Sequence, residues 1–292
     1  MILLELTILA RASILSIMNR LSTAERARIV SCLVEGNSLR ATARMTGFAR
    51  MTIEKLLREL GAACAHYHDE HLRNLPCKRI QCDEIWSFCY AKRKNVTPKI
   101  RAAHPDAGDV WTWTAIDADS KLCVSWFIGD RSFESGYTFI SDLASRVKNR
   151  VQLTTDEHRA YLTAVEDNFA EVDYAMLHKL YSTPTSDASR YSPATCIGTH
   201  CKIMRGDPDP KHISTSYVER QNLTMRMHMR RFTRLTNAFS KKIENHAHSV
   251  ALHFMYYNFG KVHQTLRVTP AMEAGVADHV WSIEEIAGIL PN

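Results

Sequence analysis

The sequence predicts an α/β protein in which helices cover a mixed sheet, preceded by a small all-α unit. Three observations predict this class. Residues 18–63 contain three short segments with helical spacing of apolar residues. Residues 79–128 contain three segments rich in β-branched and aromatic residues, which is typical of strands joined by turns. From residue 133 onward, helical and strand-like spacings alternate, which indicates helices packed on a sheet.

The all-α unit begins with a capping box, in which Ser22 is the N-cap and Glu25 reaches back to it. We expect this helix to run up to Gly36, where glycine ends it. A second helix, capped by Ser38, is predicted to run through Met45.

A turn at Gly47 separates the second helix from a third, which we expect to end at Gly61. Its apolar residues share one face: Ile53, Leu56, Leu57 and Leu60. Three short helices with this glycine turn are typical of a helix-turn-helix, with a protein-interaction module as the alternative. The side chains predicted to bind DNA on the other face of the third helix are Arg50, Thr52, Lys55 and Arg58.

The first predicted strand runs from Arg79 to Tyr90. Only Glu84 interrupts its apolar face, and Asp83 lies on the opposite face. The next two strands and the turn between them are predicted at Val110–Ile116, Leu122–Ile128 and residues 117–120. Then follow a helix, a strand, a helix and a strand, at residues 133–147, 151–154, 161–169 and 172–175. Residues 181–213 predict an irregular insertion, after which helices are expected from Ser216 and over residues 243–257.

Three carboxylates occupy positions from which strand ends and a helix can bring them together: Asp83, Asp156 and Glu219. Hydrolysis of a phosphodiester with two Mg²⁺ ions needs such convergent oxygen ligands. Each residue also has a plainer interpretation. Asp83 can be a solvent-facing strand residue, Asp156 the N-cap of the next helix, and Glu219 the capping-box partner of Ser216. Glu84 and Glu157 are candidate helpers beside them.

The formal net charge is only +6, so the distribution of charge carries more information than the total. The stretch from Arg220 to Lys242 contains seven arginine and lysine residues and no acidic one. A phosphate backbone is the natural partner of such a stretch, and a solvated basic face is the alternative.

Eight cysteines lack the dense spacing of a disulfide scaffold, which indicates free thiols in a reducing cytosol. Two groups offer a weaker alternative of a structural metal site: Cys196, His200 and Cys201, and the pair Cys77 and Cys82. Residues 1–17 are apolar but too short to span a bilayer, and we interpret them as an N-terminal extension.

Five stretches resemble parts of DDE transposases of the bacterial insertion-sequence-one family. Those around the carboxylates, Gln81–Trp86, Thr154–Tyr161 and Thr215–Asn222, are similar to the three acidic motifs. Arg230–Asn237 and residues 257–270 extend the similarity, which covers about residues 72–281. Two departures stand out. Glu157 replaces the glycine common after the second aspartate, and no cysteine cluster precedes the helix-turn-helix.

The resemblance implies a ribonuclease H-like fold in which Asp83, Asp156 and Glu219 are catalytic and bind two Mg²⁺ ions, with Mn²⁺ as a substitute. It also implies that Arg226, seven residues after Glu219, holds transposon-end DNA. The other predicted DNA contacts of the basic stretch are Arg230, Arg231 and Arg234. The implied activity is cleavage of transposon ends and their joining to target DNA. Its partners are terminal inverted repeats, target DNA, and further copies of the chain in a dimer or larger synaptic assembly.

The predicted domains are a helix-turn-helix unit at 18–63, a linker at 64–78, a catalytic domain at 79–262 and a C-terminal tail at 263–292. We expect a cytoplasmic, nucleoid-associated protein. Two alternatives stay open from the residues alone. One is a catalytically inactive helix-turn-helix regulator, and the other is a ribonuclease H-like nuclease that cuts without joining.

Overall fold

The computed structural model describes residues 20–182, 196–233 and 237–291. Its centre is one six-stranded mixed sheet with the order β3-β2-β1-β4-β5-β6. The strands are β1 (Arg79–Cys89), β2 (Gly108–Asp117), β3 (Cys123–Gly129), β4 (Val151–Thr155), β5 (Val172–Tyr181) and β6 (Cys196–Arg205). β1 pairs in parallel with β4, and β4 with β5, whereas the other three pairings are antiparallel.

The helices lie before, between and after the strands. They are α1 (Thr23–Val34), α2 (Leu39–Thr46), α3 (Arg50–His71), α4 (Pro98–Ala103), α5 (Phe133–Arg146), α6 (Ala160–Asn168), α7 (Ser216–His228), α8 (Ile243–Met255), α9 (Pro270–Glu273) and α10 (Ile283–Gly288). A π-helical turn at Tyr256–Gly260 continues α8. Among the described residues, no helix is both long and apolar enough to cross a membrane.

Two apolar clusters cover the two faces of the sheet. Ile80 and Cys82 of β1 belong to the larger cluster, together with buried side chains of α5 and α6. Ile85 of the same strand belongs to the smaller cluster, with Val218 of α7 and Phe254 of α8. The alternation along β1 therefore sends side chains into two different cores, as expected for a central strand. The predicted α/β class is confirmed, and the sheet is compatible with a ribonuclease H-like fold.

The three predicted N-terminal helices are present. The capping box between Ser22 and Glu25 is formed in both directions. Gly36 and Gly47 adopt left-handed backbone conformations with φ of +81° and +80°, which glycine tolerates better than other residues. The predicted apolar face of α3 is buried. That this unit reads DNA stays a prediction.

The prediction that Gly61 ends the third helix is wrong, because α3 continues to His71. Gly61 is instead the point where α3 crosses α8. A Cβ atom added there would lie 2.5 Å from the Cβ of His248, so no larger residue fits without a shift. Part of the predicted linker 64–78 is therefore helical. The helix buries Cys64 and His68, which joins the N-terminal helices to the body.

The prediction of an irregular insertion at 181–213 is wrong in part. Residues 196–205 form β6, which pairs antiparallel with a β5 that is longer than expected. Most β6 side chains are exposed, so the strand lacks the apolar alternation that would have predicted it. Cys196 and Cys201, from the weaker metal alternative, lie exposed on this strand.

The predicted C-terminal tail, residues 263–292, is described up to Pro291, and this part returns to the N-terminal helices. Arg26 of α1 donates to the backbone oxygens of Leu290 and Pro291, at 3.1 and 3.2 Å. Ile286 and Ala287 of α10 are fully buried. The predicted N-terminal extension at residues 1–17 lies outside the described residues.

Candidate metal centre

Strand β1 holds helix α7 in place through a polar side chain. The side-chain oxygen of Gln81 accepts hydrogen bonds from the backbone amides of Tyr217 and Val218, at 2.8 and 3.2 Å. These amides belong to the first turn of α7, and the N-cap residue Thr215 makes no capping bond with its side chain. Gln81 of β1 therefore accepts hydrogen bonds from two first-turn amides of α7 and fixes the position of this helix over the sheet.

Asp83 lies two residues further along the same face of β1. Asn222 of α7 donates from Nδ2 to Asp83 Oδ2 at 2.8 Å. The interpretation of Asp83 as a solvent-facing strand residue is wrong, because its side chain is half-buried and bonded to the helix above it. The helix that Gln81 positions thus orients this carboxylate.

Parallel pairing brings Asp156 to the level of Asp83. Gln81 pairs with Thr154 between β1 and β4, and each aspartate lies two residues beyond that pair. Asp156 Oδ1 accepts from the backbone amide of His158 at 3.0 Å, which is a local turn contact. The interpretation of Asp156 as the N-cap of the next helix is wrong, since α6 begins later with a different N-cap.

Glu84 joins the two aspartates in a cluster. One oxygen from each of Asp83, Glu84 and Asp156 lies within 4.8 Å of the others. The Glu84 side chain is 1% exposed, and Nη2 of Arg131 lies 3.2 Å from its Oε2 and 3.3 Å from Asp156 Oδ2. The other oxygen, Oε1, is buried beside the hydroxyl of Tyr161, and a side-chain hydrogen bond from Tyr161 lowers the pKa of Glu84. Three carboxyl groups therefore lie close together, and one of them is buried.

Burial and mutual repulsion raise the pKa of two of these carboxyl groups. The pKa of Asp83 rises from 3.8 to about 7, first through burial and then through the Asp156 carboxylate. The pKa of Glu84 rises from 4.5 to about 8, with the same two causes in the same order. Asn222 and Arg131 oppose these shifts without cancelling them. A divalent cation between the three groups would favour their charged forms.

The donor set fits a hard divalent ion. All three groups offer carboxylate oxygens, which Mg²⁺ and Mn²⁺ prefer, and no sulfur or imidazole ligand belongs to the cluster. Mg²⁺ commonly binds one or two carboxylates and keeps its remaining positions for water or phosphate oxygens. The cluster therefore has the chemistry to hold a divalent metal ion.

Glu219 lies next to this cluster but is not one of its three members. Its Oε1 accepts from Thr215 Oγ1 at 2.6 Å and forms an ion pair with Lys179 of β5. Its charge nevertheless contributes to the raised pKa of Asp83, so the two carboxylates lie near each other. The capping-box interpretation is wrong, because Thr215 and not Ser216 is the N-cap of α7. Thr215 and Lys179 thus both engage the same oxygen of Glu219.

The departure at Glu157 does not add a charge to the cluster. Its Oε2 lies 2.7 Å from Nδ1 of His178 on β5. The carboxylate is thus engaged by the neighbouring strand, and it is not among the three clustered groups.

The predicted DNA contacts of the N-terminal helices lie on the surface. Arg50, Lys55 and Arg58 are exposed and Thr52 is half-buried, all on α3. Lys55 lies 3.8 Å from Glu59, an exposed pair that contributes little to stability.

The predicted contacts of the basic stretch differ in their surroundings. Arg230 is exposed, and Arg226 is half-buried on α7. Arg231 points inward: its Nε donates to Ser249 and its Nη1 to Ser240, both at 2.9 Å, and burial lowers its pKa to about 10. This geometry gives Arg231 a packing role and leaves it less available to a ligand. Arg234 lies outside the described residues.

Sequence reasoning did not assign the supporting residues of this site. Asn222, Arg131 and Lys179 carry no pattern that marks them before the fold is known. The sequence does mark Glu84, because this charged residue interrupts an otherwise apolar strand face. In comparisons with known proteins, the chain matches no protein-family model and no curated protein.

Proposed function

We propose that this chain is a Mg²⁺-dependent DNA transposase whose metal centre is built on Asp83, Glu84 and Asp156. One observation carries the proposal: two aspartates from adjacent parallel strands meet at the same level, beside a buried glutamate. The strand order, with an antiparallel β1–β3 meander and parallel β4 and β5, supports a ribonuclease H-like catalytic domain. The resemblance to the insertion-sequence-one family adds the substrate, DNA.

In the proposed reaction, water cleaves a phosphodiester at the end of the element and leaves a 3′ hydroxyl. That hydroxyl then displaces a phosphodiester in target DNA, so the number of phosphodiester bonds is conserved in the joining step. Two bound Mg²⁺ ions would supply a more acidic water and stabilise the charge on the leaving oxygen.

The residues of the chain have distinct tasks in this proposal. Asp83 and Asp156 hold the metals, and Glu84 provides the third carboxylate from the same strand as Asp83. Asn222 keeps the Asp83 carboxylate turned towards Asp156. Arg131 lies beside Glu84 and Asp156 and favours the charged form of Glu84, which metal binding would require.

Glu219, the third predicted metal ligand, forms an ion pair with Lys179 in this arrangement. We propose that it turns to the metals when DNA is present, since phosphate groups near Lys179 compete for the same ammonium group. The N-terminal helices would supply recognition of the terminal repeats. Cleavage of two ends together would require a dimer or larger assembly.

The test uses the purified full chain, Mg²⁺ and DNA carrying the repeats that flank its own gene. Wild-type protein is compared with Asp156→Asn and with Glu166→Gln, which changes an exposed acid of α6. Cleavage and end joining by the wild type and the Glu166 variant, but not by the Asp156 variant, is the expected result. Binding by all three without any cut product contradicts the proposal and favours a DNA-binding regulator. Cutting without joining favours a nuclease.

A further inference from the structure

A basic cleft separates the N-terminal helices from the segment that follows α7. Its volume is about 860 Å³. Six arginine and lysine side chains line it and, among its described lining residues, Glu54 is the sole acid. Five of the cations are Arg40, Arg50, Arg230, Lys241 and Lys242, and the sixth is the inward-pointing Arg231. None of the clustered carboxylates lines this cleft, so it is a separate site.

Close backbone contacts hold the walls of the cleft together. A Cβ atom added to Gly36 would lie 3.0 Å from the backbone oxygen of His228, at the end of α7. A Cβ atom added to Gly61 would likewise lie too close to His248, at 2.5 Å from its Cβ. Because these crossings tolerate no larger residue, the N-terminal helices and the body are packed as neighbours around the cleft, and its basic residues keep their mutual positions.

Helix ends add to the positive potential of the cleft. Helices α2, α3 and α8 all begin at residues that line it or adjoin its lining. The N-cap residues of α3 and α8 are Ala49 and Lys242, and neither makes a capping hydrogen bond with its side chain. The N-cap side chains therefore do not satisfy the first-turn amides of these two helices, and a helix N-terminus favours an anion.

The size and lining of the cleft indicate what kind of anion it suits. A DNA duplex is wider than its own major groove of about 12 Å and cannot be enclosed in this volume, whereas a few nucleotides of one strand can. Phe239 lines the cleft and has its ring 4.9 Å from that of Phe88. A supported aromatic ring among cations is the usual arrangement for stacking a base next to bound phosphates.

We propose that this cleft binds one DNA strand, with its phosphates on the cations and a base against Phe239. The inference rests on the proposed DNA substrate and adds a second binding site to it. Helix α7 connects the two sites, since Asn222 contacts Asp83 and His228 lines the cleft. Six residues of helix separate them, a distance of about 9 Å along its axis. The cleft and the carboxylate cluster are therefore both next to the same helix.

The test measures binding of a labelled single-stranded oligonucleotide of mixed sequence by fluorescence anisotropy, in EDTA and at several salt concentrations. The cleft variant is Lys241→Gln with Lys242→Gln, both exposed positions. The matched control is Lys94→Gln with Lys99→Gln, which removes the same charge from exposed positions elsewhere. A duplex of the same sequence is measured in parallel.

The cleft variant is expected to bind the single strand about tenfold more weakly at low salt, and its salt slope to fall by about 1.4, which corresponds to two lost phosphate contacts. The control is expected to match the wild type. Equal affinity and slope for both double variants overturns the proposal. Tighter binding of the duplex, with the same sensitivity to the cleft variant, overturns the assignment to a single strand.

The two proposals can fail separately. If the cleft variant loses binding while the wild-type protein never cleaves DNA, the proposed enzymatic function is wrong and the assignment of the cleft as a binding site still holds. If cleavage is observed and the cleft variant binds normally, the cleft assignment fails alone.

Discussion

Glu84→Gln is expected to stabilise the metal-free protein at high pH, which is unusual for a substitution in a buried strand. The pKa of Glu84 rises from 4.5 to about 8 on folding, through burial and the Asp156 carboxylate. The folded protein therefore keeps a proton that the unfolded chain releases above pH 4.5. As a result the free energy of unfolding falls as pH rises, until the folded pKa is reached.

The magnitude follows from the two pKa values. At 1.36 kcal/mol per pH unit, ionising buried Glu84 costs the folded state about 4 kcal/mol at pH 8. A glutamine amide at this position stays neutral but is also buried without a full set of partners, which costs about 1–3 kcal/mol. The net gain for Glu84→Gln is therefore about 2 kcal/mol at pH 8. At pH 5 the gain disappears, because the cost of keeping Glu84 protonated in the folded state, relative to the partly ionised unfolded chain, changes stability by only about 1 kcal/mol from its low-pH limit.

The assay is urea unfolding of wild type and Glu84→Gln at pH 5 and pH 8 in EDTA. Glu166→Gln is the control, since its side chain lies on the exposed surface of α6. The expected result is a higher midpoint for Glu84→Gln at pH 8 only. If the variant is less stable than the wild type by the same amount at both pH values, the carboxylate is not destabilised by burial and the reasoning is refuted.

Three further predictions concern the packing and the orientation of the site. Gly61→Val is expected to lower the free energy of unfolding by about 1–3 kcal/mol in urea denaturation, because its Cβ would overlap His248. Gly288→Ala is the control. A Cβ atom there meets no atom within 4 Å, so the free energy of unfolding is expected to change by less than about 0.5 kcal/mol. Asn258→Leu removes both hydrogen bonds to the backbone of Cys123 on β3 and is expected to cost about 2 kcal/mol, and an unchanged urea midpoint would exclude this role. Asn222→Leu removes the hydrogen-bond donor to Asp83 and is expected to weaken Mn²⁺ binding about tenfold in a calorimetric titration. An affinity equal to that of the wild type would show that Asn222 does not orient the aspartate.

Much of the sheet could be predicted because each strand leaves a periodic pattern. Apolar and aromatic alternation located β1 to β3, and the switch to helical spacing located α5 and α6. The closeness of Asp83 and Asp156 was expected from the family resemblance, and the parallel pairing of β1 with β4 is what brings them level. β6 was not predicted, because its side chains are mostly exposed and show no alternation of apolar and polar residues.

Other features depend on tertiary contacts that no local pattern records. Gly61 has the sequence signature of a helix end, and only the crossing with His248 shows why glycine stands inside a continuous helix. Lys179 engages Glu219 from a strand 40 residues away. Glu84 was visible as an interruption in the pattern, but its closeness to Asp156 follows from the parallel register between β1 and β4.

Metal binding by the carboxylate cluster tests the central claim most directly. Isothermal titration of the DNA-free protein with Mn²⁺ compares the wild type with Asp156→Asn and with Glu166→Gln. We expect the wild type and the Glu166 variant to bind with equal affinity, and the Asp156 variant to lose at least about tenfold, since one carboxylate of three is gone. Equal binding by all three proteins, or no binding by the wild type, would contradict a metal centre at Asp83, Glu84 and Asp156.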